Sequence, residues 1–397
     1  MMSDQRKKED RDWAALLEDI VDMFAGRVDC NVDRANMAMQ CQSWRDTVDS
    51  LPERIQLPWM LVPYRRSSFM PHNVMMRGLF YCFLSGRAHC MPMPANAYDA
   101  RFIGSYEGGW VVLAARHNSG YVVVHCPTNH SIPFPRVVLL RGCPVSDEFV
   151  LRACAFSCSP SVAANCVVAS LVTSFDCSLN HRTLVAFHRF GASAMSSGSV
   201  LEAEDIIYYR GSFYCLTMIE DMIRCTPRFS QDDPPDTLVV RKTYLHFAPI
   251  HHDEGLVVKA RYLVESRGQL LMVVRFKSVT SEDTSMFAFF QMVPDGPGDG
   301  VYFVWQRLPA TGGRMIFVGH GASRCFEASV YPSCKEGVYY FDDETFNQPA
   351  MVAFGFSNGR SYTCHDNGYW PGPEGEIKRS YDWRVPSSYT PPIWFLP

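Results

Sequence analysis

The stretch FIGSYEGGWVVLAA, residues 102 to 115, contains the pattern on which the fold prediction depends. Two short runs rich in β-forming residues, Phe102 to Tyr106 and Trp110 to Ala115, flank Gly108-Gly109. Paired glycines between two such runs indicate a β-hairpin, because glycine adopts the positive φ angles that tight hairpin turns need. The sequence therefore predicts two antiparallel strands here.

The same layout recurs further along the chain. Hairpins are predicted around Arg210-Gly211 and Arg267-Gly268, and a weaker one around Asn165. Turn positions 109, 165, 211 and 268 are separated by 56, 46 and 57 residues, which suits one four-stranded antiparallel unit per repeat. We predict a mainly β protein whose C-terminal part is a β-propeller of about six to seven blades. A pair of β-sandwich domains, which also has evenly spaced short strands, is the alternative.

The N-terminal region has a helical periodicity instead. Residues 1–11 are polar, and we expect them to be disordered. From Trp13, apolar residues recur at spacings of three and four, which predicts an amphipathic helix with Asp12 as N-cap and Gly26 as stop. The apolar positions are Trp13, Leu16, Leu17, Ile20, Val21 and Phe24. A second helix is predicted from about Val32 to Val48, so we assign residues 12–55 to a helical segment and 56–397 to the β domain.

The charge balance argues against nucleic-acid and membrane partners. Lysine and arginine number 37, aspartate and glutamate 41, and no run of basic residues stands out. No apolar run is long enough to cross a bilayer. The chain opens with MMSDQRKKEDRDW, which is charged where a signal peptide would be apolar. We therefore expect a cytoplasmic or nuclear protein that contacts neither nucleic acid nor membrane.

No motif for catalysis, a metal or a cofactor stands out. The 15 cysteines lack the paired spacing of zinc sites, and we interpret them as reduced, small buried residues. Four other patterns are better explained by structure. The glycines from Gly312 to Gly321 suit tight turns, His251 to Glu254 a solvated loop, and Asp342 to Glu344 a polar turn. In Cys364-His365-Asp366, neighbouring side chains cannot face each other, so we interpret this combination as a coincidence. We expect no enzyme activity, no metal and no cofactor.

Two stretches resemble a known family. The segment from Asp12 to Val48 resembles an F-box: its first half has matching apolar positions and its end reads Cys-Gln-Ser-Trp-Arg. VYFVWQRLPATGGRMIFVGHGASRCFEASVYPSCKEGVYYFDDE, from Val301 to Glu344, with the closing PPIWFLP from Pro391 to Pro397, resembles the C-terminal domain of plant F-box proteins with a KIB-type β-propeller. One departure is Leu17, which stands where the F-box usually has proline.

The resemblance implies a substrate-recognition subunit of an SCF-type ubiquitin ligase. In such a complex, the F-box binds a Skp-type adaptor that bridges to cullin, and the propeller holds a target protein; some family members are associated with protein kinases. From the match we predict these adaptor-binding residues: Trp13, Leu16, Ile20, Phe24, Cys41 and Trp44. The substrate-binding residues stay open. Leu17 motivates an alternative, a propeller binding module with a degenerate, non-functional F-box, and a third hypothesis is an enzyme with its site in the propeller channel.

Overall fold

The computed structural model divides the chain into two compact units. It describes residues 16–52, 55–62, 77–97, 100–115, 120–140, 143–145, 149–175, 181–197, 202–230, 237–250, 252, 255–296, 302–343, 366–379 and 390–397. The first unit comprises the described residues up to Leu57 together with Cys82–Arg87. The second comprises the described residues of Pro58–Tyr81 and Ala88–Pro397.

The first unit contains three short helices: α1 (Glu18–Ala25), α2 (Asn31–Ala38) and α3 (Gln42–Ser50). Both α1 and α2 pack against α3. Helix α1 ends immediately before Gly26, the predicted stop, and Glu18 and Asp19 in its first turn complement the helix dipole. Asp12, the predicted N-cap, lies outside the described residues, and α1 begins after Leu17.

The single helix predicted from about Val32 to Val48 is wrong, because the chain forms α2 and α3 there. Cys41 separates them with an extended backbone, φ −161° and ψ 174°. Buried Arg34 stabilises the unit at the other end of α2: its Nε donates to the Val28 carbonyl at 2.7 Å and its Nη1 to the Pro52 carbonyl at 2.9 Å. Charged residues are rarely buried without such partners. Because a hydrophobic pattern assigns an arginine to the surface, it did not reveal this contact.

The remaining described chain forms five β-sheets. The first two sheets contain β1 (Trp59–Val62), β2 (Arg77–Cys82), β3 (Arg87–Pro92) and β26 (Ile393–Phe395), and then β4 (Arg101–Tyr106), β5 (Trp110–Ala114), β6 (Tyr121–His125) and β7 (His130–Phe134). The six-stranded third sheet contains β8 (Val137–Leu140), β9 (Cys143–Val145), β10 (Phe149–Phe156), β11 (Val167–Phe175), β12 (His181–Arg189) and β13 (Ala194–Ser197).

The other two sheets follow in chain order. The eight-stranded fourth sheet contains β14 (Ala203–Tyr209), β15 (Ser212–Thr217), β16 (Met222–Phe229), β17 (Leu238–Phe247), β18 (Leu256–Ser266), β19 (Gln269–Ser278), β20 (Thr284–Pro294) and β21 (Tyr302–Leu308). The four-stranded fifth sheet contains β22 (Arg314–Phe317), β23 (Arg324–Glu327), β24 (Gly337–Tyr340) and β25 (Gly368–Trp370).

Three of the predicted hairpins are confirmed with their turn chemistry. Gly108-Gly109 joins β4 to β5, Arg210-Gly211 joins β14 to β15, and Arg267-Gly268 joins β18 to β19. Both residues of each pair have positive φ, between 46° and 81°, as tight hairpin turns require. At the weaker fourth position, β10 and β11 pair as predicted, but the short helical segment Pro160–Asn165 connects them.

The sheets form a β-propeller. Each sheet begins or ends with an inner strand that contacts the inner strand of the next sheet: β26 contacts β4, and the series continues through β10, β14, β18 and β23. Apolar clusters lie between consecutive sheets, as shown by Trp110 and Phe156 in one cluster and Tyr262 and Trp370 in another. The hydrophobic core is therefore a series of layers between blades.

The number of separate sheets differs from the predicted six to seven blades. The fourth sheet consists of two antiparallel meanders, β14 to β17 and β18 to β21, whose outer strands are joined by a short parallel pairing of His246 with Tyr302 and of Phe247 with Phe303. Five sheets result because this junction merges two four-stranded units. Nothing in the local sequence pattern marks such a non-local pairing.

The propeller is closed by its last strand. β26 pairs antiparallel with β1, with Trp59 opposite Phe395 and Met60 opposite Trp394. The Trp394 side chain is fully buried, and its indole N–H donates to the Val318 carbonyl at 2.7 Å. Its ring also meets the Phe317 ring edge-on, with centroids 5.1 Å apart. One side chain thus links the first sheet to the fifth.

We expect Trp394→Ala to lower the free energy of unfolding by about 3–5 kcal/mol, because it leaves a large cavity at the closure and orphans a buried carbonyl. Chemical denaturation followed by tryptophan-independent circular dichroism measures the change. Tyr302→Ala, whose side chain is 61% exposed, is the matched control and should cost far less. A loss of under about 1 kcal/mol for Trp394→Ala would contradict the closure role.

Candidate functional site

The inner strands of the propeller surround a cavity of about 470 Å³. Residues from five consecutive blade-like units line it, at the ends of inner strands or in the turns that follow them. Eight of the lining residues have charged or aromatic side chains, which can bind a ligand through ion pairs or ring contacts. These are Tyr106, Glu107, Phe156, Tyr208, Glu265, Arg267, Arg324 and Glu327.

One ion pair occupies the rim of the cavity. Arg267 donates from Nε to Glu327 Oε1 at 2.8 Å and from Nη2 to Oε2 at 2.6 Å, a two-bond geometry that fixes both side chains. The hydrogen bond to Arg267 lowers the pKa of Glu327, and the reciprocal bond raises the pKa of Arg267. Arg267 sits in the tight turn after β18, so the turn chemistry seen in the sequence also positions a cavity residue.

A second arginine lies deeper. The Arg324 side chain is 21% exposed; its Nη1 donates to the Ser323 carbonyl at 2.9 Å, and its Nε lies 3.6 Å from Glu107 Oε1. That separation is an ion pair without a hydrogen bond. Burial lowers the pKa of Arg324, although the charges of Glu107 and Glu265 oppose the shift. Arg324 begins β23, so the fifth sheet holds it in place.

The cavity thiols are not activated nucleophiles. Burial raises the pKa of Cys154 to about 12 and also raises the pKa of Cys325. A nucleophilic thiol requires the opposite shift. Within the described chain, the lining contains no histidine that could serve as a base. The lining therefore offers charged and aromatic groups and two thiols with raised pKa values.

Asp205 connects three inner elements next to the cavity. Its carboxylate accepts from the Leu263 amide at 2.7 Å and from the Gly321 amide at 2.6 Å, so β14, β18 and the turn before β23 are held together. Burial raises the pKa of Asp205 to about 6. Gly321 has φ +69°, and an added Cβ would lie 2.8 Å from the Cys154 carbonyl oxygen. Only glycine fits this approach.

Two further buried carboxylates join the β18 to β21 meander to the fifth sheet. Asp343 Oδ2 lies 2.7 Å from His320 Nδ1, and its Oδ1 accepts from the Tyr262 hydroxyl at 2.8 Å. Asp366 Oδ2 accepts from fully buried Arg275 at 2.8 Å. Burial disfavours the charge of both carboxylates, but their cationic neighbours outweigh it, and both pKa values lie below the usual range.

These contacts change three sequence interpretations. The polar turn expected at Asp342 to Glu344 is wrong for Asp343, which is buried; Glu344 lies outside the described residues. His252 is not simply solvated, since its Nε2 lies 2.7 Å from Glu220 Oε1, whereas His251 lies outside the described residues. Asp366 has the structural role just given, and Cys364 and His365 lie outside the described residues. Each of these residues contacts a partner far away in the chain. A motif search compares only sequence neighbours, so it could not find these contacts.

The predicted adaptor-binding residues divide by exposure. Trp13 lies outside the described residues. Phe24 is 49% exposed, and the other four are half-buried: Leu16, Ile20, Cys41 and Trp44. The buried face of α1 is formed by Val21 and Ala25 instead. Leu17, counted on the predicted apolar face, is 71% exposed. The helix thus carries apolar side chains at positions 17, 20 and 24 that the described core does not fully cover.

The fold and the cavity define a β-propeller with a charged central site, a class that suggests a protein-interaction module. A family model described as KIB1-4 beta-propeller matches residues 59–368, and the chain belongs to this family. The match begins at the first residue of β1, whereas the three helices and β26 lie outside it. A search of curated proteins finds no match. No helix in the described part of the chain is long and apolar enough to cross a membrane.

We expect Arg275→Met to lower the free energy of unfolding by about 3–5 kcal/mol, because it removes a fully buried cation from beside Asp366 and Asp343. Asp366 would keep only Lys259 and Asp343 only His320 as ion-pair partners among the described residues. Arg267→Met removes an exposed ion pair and should cost only about 0–1 kcal/mol. Equal losses in the two variants, measured by chemical denaturation, would show that the buried network does not stabilise the propeller.

Proposed function

We propose that this protein is a substrate-recognition subunit of an SCF-type ubiquitin ligase. Its N-terminal helices bind a Skp-type adaptor that bridges to cullin, and its propeller binds a target protein for ubiquitination. We propose protein kinases as one class of target, and this part of the proposal rests on the family resemblance alone. The protein works in the cytoplasm or nucleus, where such ligases act. Its role is binding, without catalysis or a cofactor of its own.

The observation that carries this proposal is an apolar stripe along α1 that the described residues cover only in part. Ile20 and Phe24 lie four residues apart on one face of α1, and Leu17, the residue before the helix, continues that line three residues earlier. Leu17 is 71% and Phe24 49% exposed, while Val21 and Ala25 on the neighbouring face are fully buried. A helix that uses one apolar face for its own unit and keeps another uncovered is suited to lie in a partner's hydrophobic groove.

The stripe also bears on the departure from the F-box pattern. Leu17 stands where proline is usual, and it lies immediately before α1 with an extended backbone, φ −60° and ψ 140°. Proline adopts that φ without strain, so leucine keeps the local backbone conformation. Its exposed side chain adds to the apolar surface. This favours a functional adaptor contact over the alternative of a degenerate F-box with a stand-alone propeller.

The third hypothesis, an enzyme in the propeller channel, receives less support. Such a site needs a convergent acid, base or activated nucleophile. In the described lining, the carboxylates are exposed or paired with arginine, and the thiols have raised pKa values. A cavity with this composition can bind charged groups on a protein surface.

We expect Phe24→Asp to weaken adaptor binding by at least about tenfold, since it places a charge in an apolar contact. Phe24 is 49% exposed, so the helical unit should still fold. Ile219→Asp is the matched control: it makes the same kind of change at a 78% exposed apolar residue of the propeller. Binding of a purified plant Skp-type adaptor is measured by calorimetry. Unchanged affinity of a folded Phe24→Asp protein would remove Phe24 from the interface.

A further inference from the structure

The charges that line the central cavity do not cancel. The described lining contains three carboxylates, Glu107, Glu265 and Glu327, and two guanidinium groups, Arg267 and Arg324. Arg267 and Glu327 neutralise each other through their two hydrogen bonds. Among the described lining residues, Glu107 and Glu265 are then left with Arg324, so the lining has one carboxylate more than it has guanidinium groups. A cleft focuses such a field, because its walls are poorly polarisable.

The two remaining carboxylates keep their acceptor atoms available. The carboxylate of Glu265, near the end of β18, forms no ion pair or hydrogen bond with any residue that the structure describes, and Glu265 is exposed. Glu107 is 71% exposed, and its nearest cation, Arg324, is 3.6 Å away, too far for a hydrogen bond. Exposed carboxylates that face one cavity are the acceptors that a lysine ammonium or an arginine guanidinium binds most strongly.

Aromatic rings supply the rest of a site for a basic side chain. Tyr106, Phe156 and Tyr208 line the same cavity, and the Tyr106 and Phe156 rings meet edge-on with centroids 5.5 Å apart. Long basic side chains pack their methylene groups on such rings, and the cation is attracted by the ring faces. At about 470 Å³, the cavity is large enough for one side chain with its flanking backbone.

An acidic ligand would fit less well. Among the described lining residues, Arg324 is the only cation besides Arg267. It is the more buried partner of Glu107, and its Nη1 already donates to the Ser323 carbonyl at 2.9 Å. An incoming anion would have to approach both Glu107 and Glu265. Just outside the lining, Arg210 donates to the Gly268 carbonyl and Glu336 accepts from the Gly313 amide. Arg314 also lies outside it, donates to Ser266 Oγ at 2.8 Å and sits beside the Arg267–Glu327 pair, away from Glu107 and Glu265 in the charges it interacts with.

We propose that the central cavity binds one lysine or arginine side chain of a target protein, with Glu265 and Glu107 as its carboxylate partners. This inference rests on the second half of the proposed function, that the propeller binds a protein, and it names the chemistry of that target. It does not depend on adaptor binding by the helices. Glu265 contributes the larger share, because Arg324 partly neutralises Glu107.

Calorimetry with the full chain tests this proposal through three peptides, Ac-Gly-Ser-Xaa-Ser-Gly-amide with Xaa as arginine, lysine or glutamate. We expect the arginine and lysine peptides to bind at least about tenfold more tightly than the glutamate peptide, as for one charge-assisted contact. Glu265→Gln should weaken the arginine peptide by about tenfold. Glu374→Gln, at an exposed carboxylate outside the lining, is the matched control and should leave binding unchanged.

Three results would overturn the inference: tighter binding of the glutamate peptide, no binding of any peptide, or arginine-peptide binding that Glu265→Gln leaves intact. Adaptor binding by the same preparations separates this inference from the ligase proposal. If the adaptor binds and no basic peptide does, the cavity site fails and the adaptor role stands. If basic peptides bind in a Glu265-dependent way and the adaptor does not, the cavity site stands and the ligase role fails.

Discussion

The pairing of β26 with β1 is the constraint on which the propeller depends. Trp59, Met60 and Leu61 pair with Phe395, Trp394 and Ile393, so the first sheet combines the first and the last described strands of the domain. Closure by a distant strand costs loop entropy, which burial of the Trp394 indole between the first and fifth sheets helps to offset. Ser105 adds a hydrogen bond to the Trp394 carbonyl, which ties the second sheet to the same strand.

Closure determines what the centre of the domain can do. Once the ring is complete, inner strands from successive sheets face one another, and the residues at their ends meet in one cavity. The buried carboxylates Asp205, Asp343 and Asp366 hold neighbouring units in register, which keeps Glu265 and Arg324 at fixed positions around that cavity. The structural carboxylates are thus buried and hydrogen-bonded, whereas Glu107 and Glu265 in the cavity lining are exposed.

Local chemistry explains which features the sequence could predict. The turns at Gly108-Gly109, Arg210-Gly211 and Arg267-Gly268 require positive φ at adjacent residues, and that requirement is visible in four or five residues. Gly26 also marked the end of α1 correctly, although its backbone is right-handed, with φ −64° and ψ −20°, and does not use the positive φ that glycine permits. The break at Cys41 was missed because no glycine or proline marks it: residues 38 to 44 read Ala-Met-Gln-Cys-Gln-Ser-Trp.

Non-local contacts account for the rest. The parallel junction of His246 with Tyr302 and the partners of Asp343 and Asp366 join segments far apart in the chain. The cavity likewise combines residues from five units, none of which forms a motif with its sequence neighbours. On α1, apolar spacing identified the helix, but only packing shows that Val21 is buried while Leu17 and Phe24 are not.

The proposed ligase role is tested most directly by co-purification of the full chain with a plant Skp-type adaptor, beside a version that lacks residues 1–55. The account predicts a stable complex with the full chain and none with the shortened version, provided that the shortened protein retains the β-sheet circular dichroism of a folded propeller. Absence of a complex with the folded full chain would contradict the account, and the propeller would then act as a binding module without the ligase.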